Sequence, residues 1–197
     1  MRKLMMYNTM SLNGVYQSPF YVDEDATSGF TYGGWANPYL DNAAMEWFID
    51  NVSRAGGFLL GRRTYEIFAA HWPSAPEDQQ VLAEPMNRLP KFVASATLTE
   101  PLKWQNSRLL PDDTPEAVRQ LKHDDGADLR IIGSAQLLNT LIQHDLVDEF
   151  HLMIDPVIVS GGKRLFTDNG QLTRLRLVDN KVTTTGAIIA TYTPASD

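Results

Sequence analysis

The sequence predicts a three-layer α/β/α fold, in which a mixed, mostly parallel sheet is flanked by helices and completed by a C-terminal antiparallel hairpin. Short apolar runs typical of buried strands alternate with segments of helical period. Two of these runs, at 58–60 and 129–132, pass through glycine directly into a helix. The last two strand segments, 172–179 and 187–193, flank a turn and are expected to pair with each other. No linker divides the chain, so residues 1–197 are predicted to form one domain.

Composition and charge exclude several classes of protein. The 197 residues include no cysteine, which excludes disulfides, thiolate zinc sites and a cysteine nucleophile and fits a reducing cytoplasm. The formal charge of −7 argues against a nucleic-acid surface, which is normally basic. No apolar run approaches the roughly 18 residues of a membrane span, and polar residues interrupt the N-terminal segment before a signal peptide forms. We therefore expect a soluble, cytoplasmic protein with no membrane or nucleic-acid partner.

The first strand is predicted from the loose alternation of residues 3–10, which run into a turn at 11–15. Residues 16–38 follow without a sustained period and are rich in glycine, acidic and aromatic residues. A loop of this length in a compact domain is commonly a lid or a binding loop, and a disordered surface insertion is the alternative. As a lid, the loop would close with an apolar wall formed by Phe30, Tyr32 or Trp35.

The next helix is predicted to begin at Asn37-Pro38, where an N-cap residue precedes proline at the first helical position. Its apolar face contains Met45, Phe48, Ile49 and Val52. The strand at 58–60 follows, and a helix at 64–71 comes directly after it.

The junction between this strand and helix carries paired cations. Free N–H groups and the positive end of the dipole gather at a helix start, and Arg62 and Arg63 add two full charges beside it. This combination attracts phosphate. The alternative is a tight turn with two solvated arginines.

The middle of the chain adds helices and strands in turn. The predicted elements are a short helix at 77–87, a strand at 91–95, an irregular segment at 97–105 and a weak strand at 107–110. Thr114 and Pro115 then open a helix, as capping residue and first-turn proline, and the helix closes near residues 124–126.

A second strand-to-helix junction lies at 129–144. The strand at 129–132 leads through the small residues Gly133, Ser134 and Ala135 into a helix over 136–144. Small residues at such a turn let a ligand approach the backbone. Close packing of the helix against the sheet explains the same residues.

The strand over Phe150–Val159 is interrupted at Asp155-Pro156, which suggests a sheet edge or a bulge. It leads into Ser160-Gly161-Gly162-Lys163-Arg164. This double glycine with two cations is a third possible anion loop.

Motifs spread over nearly the whole chain resemble those of the dihydrofolate reductase fold. They are the 60–66 junction, the strand end at 93–95, the 131–135 junction and the terminal hairpin. Ser11-Leu12-Asn13-Gly14 and the segment 155–162 are more similar to the reductase domain of riboflavin-biosynthesis proteins, the RibD C-terminal domain, and its stand-alone relatives.

This resemblance implies a dihydrofolate reductase-like fold with NADPH as the hydride donor. The implied cofactor-binding residues are Gly61, Arg62, Arg63, Thr64, Ser95, Gly133, Ser134, Ala135 and Gln136. Substrate contacts are assigned to Trp35, Gly161, Gly162 and Lys163. Related domains pair through sheet edges or C-terminal strands, so we also expect a homodimer.

The sequence departs from its relatives at positions that bear on the substrate. Met45 stands where folate reductases carry the acid that protonates the pterin, so dihydrofolate is disfavoured. Riboflavin-pathway reductases carry a glutamate and an aspartate where this chain has Ile132 and Asn13. The identity of the substrate therefore stays open.

Hydride transfer needs the acceptor held against the nicotinamide, water excluded and one proton supplied. The candidates for supplying the proton or orienting the substrate are Asn13, Asp41 and Asp155. His123, His144 and His151 lack metal-ligand spacing, so no metal site is predicted.

Two functions from different classes follow. The first is an NADPH-dependent reductase of a small heterocyclic or carbonyl substrate, resembling 5-amino-6-(5-phosphoribosylamino)uracil reductase of riboflavin biosynthesis. The second is a non-catalytic nucleotide-binding or scaffold protein on the same fold, which the missing carboxylates favour.

Overall fold

The computed structural model describes residues 1–167 and 172–195. Its strands are β1 (Leu4–Ser11), β2 (Gly57–Gly61), β3 (Lys91–Ala94), β4 (Ser107–Leu109), β5 (Leu129–Ile132), β6 (Glu149–Asp155), β7 (Leu175–Val182) and β8 (Ile188–Pro194). Its α-helices are α1 (Asn42–Ser53), α2 (Arg62–His71), α3 (Gln80–Arg88), α4 (Thr114–His123) and α5 (Ala135–Gln143). Short 3₁₀ turns lie at Thr27–Gly29, Asn37–Tyr39, Trp72–Ser74 and Glu77–Gln79.

The strands form one sheet in the order β4-β3-β2-β5-β1-β6-β8-β7. Strands β1 to β6 run parallel to one another, whereas β8 is antiparallel to β6 and β7 is antiparallel to β8. This confirms the predicted mixed, mostly parallel sheet with its C-terminal antiparallel hairpin. The predicted hairpin strand at 172–179 in fact begins at Leu175 and extends to Val182.

Helices cover both faces of the sheet because successive side chains of the central strands point to opposite sides. On one side, Met6 of β1 packs in a core with residues of α4 and α5. On the other, Tyr7 packs in a second core with Val52 of α1, Tyr65 of α2 and Met86 of α3. The central strands β1 and β5 are therefore buried along most of their length.

Three predicted boundaries are corrected. Asn37 begins a 3₁₀ turn, and the N-cap of α1 is Asp41, whose carboxylate accepts a hydrogen bond from the Ala44 N–H. Asp113 rather than Thr114 caps α4 in the same way. Strand β6 ends at Asp155, because Pro156 has no N–H to continue the ladder.

Candidate active site

A cleft of about 2170 Å³ opens where the parallel strands end. Its lining includes Thr9 of β1, Gly61 of β2, Ala94 of β3 and Gly133, which follows β5. Ligands of open α/β sheets bind at the carboxyl ends of the strands, so this is the expected place for a site.

The two strand-to-helix junctions found in the sequence meet in this cleft because β2 and β5 are neighbours in the sheet. The Gly61 N–H donates to Ser134 Oγ at 2.8 Å, and Ser134 Oγ donates to Thr64 Oγ1 at 2.9 Å. The Gly133 N–H donates to Asn8 Oδ1 at 2.7 Å. Hydrogen bonds therefore hold the starts of α2 and α5 side by side.

Gly133 is required at its position for two reasons. Its φ of 54° lies in the left-handed region that disfavours side chains. A Cβ there would lie 3.1 Å from Thr64 Oγ1, so a side chain would push the two junctions apart. The close approach of the helix starts thus depends on a residue without a side chain.

The helices that begin in the cleft differ from α1 and α4 at their N-termini. Asp41 and Asp113 cap α1 and α4 with their carboxylates. The corresponding residues of α2 and α5, Gly61 and Ser134, make no side-chain capping bond. Their first-turn N–H groups and positive dipole ends therefore suit an external anion such as a phosphate.

Arg62 lies at the start of α2 beside the loop that follows β3. Its Nη1 donates to Thr97 Oγ1 at 2.6 Å, and its Nε donates to Glu66 at 2.9 Å. Ser95 Oγ accepts hydrogen bonds from the N–H groups of Thr97 and Leu98. A guanidinium and two hydroxyls therefore lie close together at this end of the cleft.

Arg63 and Lys163 converge on Asp25 of the long loop. Lys163 Nζ lies 2.7 Å from Asp25 Oδ2, and Arg63 Nη2 lies 3.4 Å from Oδ1. Burial acts to raise the pKa of the Asp25 carboxyl, but hydrogen bonds from Lys163 and Thr27 hold it below its ordinary value. This carboxylate ties the loop to the start of α2.

The other half of the cleft is an apolar chamber between α1, the later turns of α2 and the long loop. Phe20 of the loop contacts Phe48 of α1 with ring centroids 5.4 Å apart. Tyr21 contacts His71 at the end of α2 at 5.0 Å. The loop therefore crosses the cleft and rests on both helices.

Asp155 lies behind the floor of this chamber. Thr9 shares with Tyr7 the side of β1 that faces α1 and lines the cleft, and its hydroxyl donates to Asp155 Oδ2 at 3.2 Å. Burial raises the pKa of the Asp155 carboxyl to about 7. Its Oδ1 is buried and bonds to no group in residues 1–167 and 172–195. Such a carboxyl exchanges a proton near neutral pH.

A family model of the RibD C-terminal domain matches residues 2–190. The chain belongs to the RibD C-terminal domain family. Two relatives from Bacillus subtilis (strain 168) are described as uncharacterized. YyaP is 30% identical over 162 residues, covering 77% of this chain and 85% of YyaP. YwjB is 25% identical over 188 residues, covering 91% of both chains.

Solved structures share the fold at low sequence identity. A Shewanella sp. PV-4 protein assigned to riboflavin biosynthesis superposes with a TM-score of 0.71 at 18% identity, covering 98% of this chain and 99% of the other. A pyrimidine reductase-like protein from Corynebacterium diphtheriae gives 0.65 at 16%, covering 100% and 93%. Dihydrofolate reductase from Enterococcus faecalis, complexed with NADP(H) and RAB-propyl, gives 0.62 at 12%, covering 98% and 97%.

The residues that the family resemblance assigned to cofactor binding lie together in the structure. All nine line the cleft: Gly61, Arg62, Arg63, Thr64, Ser95, Gly133, Ser134, Ala135 and Gln136. Their assignment to a cofactor stays a prediction.

The residues assigned to the substrate are not gathered in this way. Lys163 lines the cleft, but Trp35 is buried with Phe30 in a separate cluster and donates its indole N–H to the Gln17 carbonyl. Gly161 lies outside the cleft lining, and a Cβ at Gly162 would lie 2.8 Å from the Phe30 ring. The aromatic residues of the loop that do line the cleft are Tyr16, Phe20 and Tyr21.

Two of the three proton-donor candidates have structural partners that explain them. Asn13 bonds through its amide to both the N–H and the carbonyl of Val159, outside the cleft lining. Asp41 accepts hydrogen bonds from Thr184 and from the Ala44 N–H, which lower its pKa to about 2. An acid this strong is ionised at neutral pH, so Asp41 is unsuited to donating a proton.

The sequence did not reveal several residues of the cleft. Asn8 and Thr9 lie inside an apolar strand, and their polar side chains at its carboxyl end were the available signal. Thr97 follows Ser95 by two residues, and Asp25 belongs to the acidic run of the long loop.

No helix in the described ranges combines the length and the apolar character needed to cross a bilayer.

Proposed function

We propose that the protein is an NADPH-dependent reductase of a small heterocyclic or carbonyl compound. The observation that carries this proposal is the continuity of the cleft, which joins two uncapped helix starts beside Arg62 to an apolar chamber. An anionic dinucleotide suits the first half, and a small acceptor suits the second. The reductase relatives of the same fold support this reading.

The residues present fit such a cofactor. The first-turn N–H groups of α2 and α5 would hold the pyrophosphate, and Arg62 with Ser95 and Thr97 would hold the 2′-phosphate. Asn8 Nδ2, which is buried and has no hydrogen-bond partner among the described residues, offers a donor where the two halves meet. Bound NADPH would supply a hydride to an acceptor carbon.

The heteroatom of a reduced C=O or C=N group must take up one proton. We assign this proton to Asp155, with Thr9 as the relay between the buried carboxyl and the cleft. As Thr9 Oγ1 releases its hydrogen to the substrate, it takes the proton of Asp155, which becomes a carboxylate and later regains a proton from solvent. The raised pKa of Asp155, caused by burial, keeps a protonated population near neutral pH.

Within the family, the activity that this reading resembles most is 5-amino-6-(5-phosphoribosylamino)uracil reduction. The riboflavin-biosynthesis and pyrimidine reductase-like neighbours share its fold. Dihydrofolate reduction is disfavoured because the thioether of Met45, which lines the chamber, cannot protonate a pterin.

The alternative is a nucleotide-binding protein without chemistry. The lack of the two carboxylates that riboflavin-pathway reductases carry, at the positions of Ile132 and Asn13, favours it. The pairing of Arg62 with Glu66, and of Arg63 and Lys163 with Asp25, weighs against phosphate binding in either function, because a phosphate would have to compete with these carboxylates.

Thermal unfolding with increasing NADPH separates these functions from a protein that binds no nucleotide. At 100 times the dissociation constant, the cofactor should add about 2.7 kcal/mol to the free energy of unfolding. Loss of NADPH absorbance with pterins, pyrimidines, quinones and aldehydes then distinguishes a reductase from a binding protein. Absence of any thermal shift at millimolar NADPH would contradict both functions.

We also propose a cytoplasmic homodimer. The edge strand β7 exposes Leu177 at 49% and Val178 at 56%, and an apolar edge favours pairing with a second copy. Light scattering at micromolar concentration should give the dimer mass, and a monomer mass would contradict the pairing.

A further inference from the structure

The long loop places its own polar groups at the starts of both helices in the cleft. At the start of α2, Asp25 accepts a hydrogen bond from Arg63 at 3.4 Å. At the start of α5, the Ala135 backbone hydrogen-bonds to the Tyr16 hydroxyl, which opposes the rise in the pKa of Tyr16 caused by burial. Lys163 joins the two positions, since its carbonyl accepts from the Tyr16 N–H at 3.0 Å and its Nζ lies 2.7 Å from Asp25. All five residues line the cleft.

Buried polar side chains of the loop hold Asp25 in this place. The Asp25 N–H donates to Ser18 Oγ at 2.9 Å, and the Asp25 carbonyl accepts from Gln17 Nε2 at 2.7 Å. Gln17 and Ser18 are each only 3% exposed. The Thr27 hydroxyl donates to Asp25 Oδ1 at 2.6 Å and also accepts from Lys163 Nζ at 2.8 Å. The loop therefore fixes the carboxylate against the two cations.

The cations have capacity that Asp25 does not use. The Arg63 side chain is 54% exposed, and its 3.4 Å contact with Asp25 is its single side-chain hydrogen bond or ion pair among the described residues. Lys163 is 39% exposed on the same carboxylate. Asp25 brings one negative charge to these two cations, whereas a pyrophosphate would bring two and would accept several hydrogen bonds from the guanidinium.

A pyrophosphate at the starts of α2 and α5 would meet the groups that the loop has placed there. Its oxygens would approach the Asp25 carboxylate, and like charges in a partly buried site repel. They would also need the first-turn N–H of α5 that the Tyr16 hydroxyl engages. The cofactor and the loop therefore compete for the same cations and the same helix start.

We propose that Asp25 is an internal competitor of the dinucleotide cofactor. In the free protein its carboxylate holds Arg63 and Lys163, and the pyrophosphate of a bound cofactor takes over both cations and so unfastens the long loop. This inference rests on the proposed function and adds a regulation of its cofactor site. The competition lowers the affinity for the cofactor and couples cofactor binding to the mobility of the loop above the chamber.

The first test separates the pyrophosphate from the 2′-phosphate. ADP-ribose carries only the pyrophosphate, and 2′-AMP carries only the 2′-phosphate. Asp25→Asn should bind ADP-ribose about 3-fold to 30-fold more tightly than the wild-type protein in isothermal titration calorimetry, and should bind 2′-AMP equally well. Asp50→Asn is the matched control, because Asp50 also lies 3.4 Å from an arginine, Arg54, but outside the cleft lining.

A second variant separates competition from a loosened loop. Lys163→Met also removes the contact that fastens the loop, but it removes a cation instead of the competing anion. It should therefore weaken ADP-ribose binding by about 3-fold to 10-fold, in the direction opposite to Asp25→Asn. Tighter binding in both variants would show that loosening of the loop, and not the charge of Asp25, sets the affinity.

The wild-type protein provides a measurement that does not depend on the folding of a variant. Saturating NADP⁺ or ADP-ribose should speed limited proteolysis within residues 16–38 by about 3-fold or more, as cleavage sites identified by mass spectrometry. Saturating 2′-AMP should leave this rate unchanged. Slower cleavage of the loop with ADP-ribose would overturn the proposal, because the ligand would then fasten the loop.

Failure of this inference is distinguishable from failure of the proposed function. If NADP⁺ binds and Asp25→Asn has the same affinity for ADP-ribose as Asp50→Asn, Asp25 does not compete and the cofactor site stands. If Asp25→Asn binds ADP-ribose more weakly, the carboxylate supports the bound state instead. If neither NADPH nor NADP⁺ causes a thermal shift, the proposed function itself fails.

Discussion

The two halves of the cleft differ in the groups that they present to a ligand. At the starts of α2 and α5, N–H groups, hydroxyls and Arg62 line the cleft and suit an anion. Gly133 lets the starts of the two helices lie close together. In the chamber, aromatic rings form the walls, with Phe20 of the loop against Phe48 of α1. One cleft thus joins a polar end suited to an anion with an aromatic end, as the proposed reductase with an anionic cofactor requires.

Asp25 and Asp155, two buried carboxyls, also differ in their surroundings. Asp25 is 7% exposed and has Lys163 at 2.7 Å, whereas Asp155 is 0% exposed and its carboxyl bonds, among the described residues, only to the Thr9 hydroxyl at 3.2 Å. A cation and hydrogen bonds hold the pKa of Asp25 below its ordinary value, while burial raises that of Asp155 to about 7. The first carboxyl fastens a loop, and the second is able to exchange a proton.

The largest effect is expected from replacing the proton source. Asp155→Asn should lower kcat by about 10²-fold to 10³-fold while leaving NADPH affinity unchanged, because the carboxyl lies behind the chamber rather than at the cofactor. Thr9→Val should give a similar loss, and Thr9→Ser should retain most of the activity. Steady-state kinetics with the best acceptor provide the measurement. Full activity in Asp155→Asn would assign the proton to solvent.

Asp155→Asn, which should lower activity, should raise the free energy of unfolding near neutral pH. Below about pH 4, Asp155 is protonated in both the folded and the unfolded protein. Between about pH 4 and 7 only the unfolded form ionises, so the free energy of unfolding should fall with rising pH, by up to about 4 kcal/mol. Asp155→Asn should remove this fall in urea denaturation across that range. An unchanged pH dependence would show that the folded pKa is not raised.

In the charged half, Arg62→Ala should weaken NADPH binding by about 10-fold to 150-fold and change NADH binding little, because a charge-assisted hydrogen bond contributes about 1.5–3 kcal/mol. Arg62→Lys should restore only part, since a point charge lacks the guanidinium fork. Arg88→Ala, on the exposed surface of α3, is the matched control. Equal losses for both cofactors would mean that Arg62 does not contact the 2′-phosphate.

The smallest effect is expected where Asp25 holds the long loop against Arg63 and Lys163. Asp25→Asn removes the charge that Arg63 and Lys163 share, and should lower the free energy of unfolding by about 1–3 kcal/mol. Limited proteolysis within residues 16–38 should become faster, whereas Asp23→Asn on the exposed part of the loop should leave it unchanged. Equal cleavage of both variants would indicate that Asp25 does not secure the loop.

Local sequence signals were sufficient to locate the two strand-to-helix junctions of the charged half. Each strand-to-helix junction is visible as a change of period at glycine, at Gly61 and at Gly133. Parallel pairing then brings the two junctions together at the same sheet edge. The family resemblance assigned the cofactor to residues of these short segments, and that assignment stays a prediction.

The chamber depends on contacts that no short segment encodes. Thr9 and Asp155 are 146 positions apart and meet only because β1 pairs with β6. The long loop has no period, so the sequence did not distinguish Trp35, which fills a core, from Phe20 and Tyr21, which line the cleft. The wrong N-cap at Asn37 has a similar cause, because the 3₁₀ turn delays the start of α1 to Asn42.

A crystal structure of the protein with NADP⁺ tests the division of the cleft most directly. The account predicts the 2′-phosphate against Arg62 and Thr97, the pyrophosphate at the starts of α2 and α5, and the nicotinamide ending beside Asn8 with the apolar chamber still open. A dinucleotide that occupies the chamber between Phe48 and Phe68, or that binds outside the cleft, would contradict it.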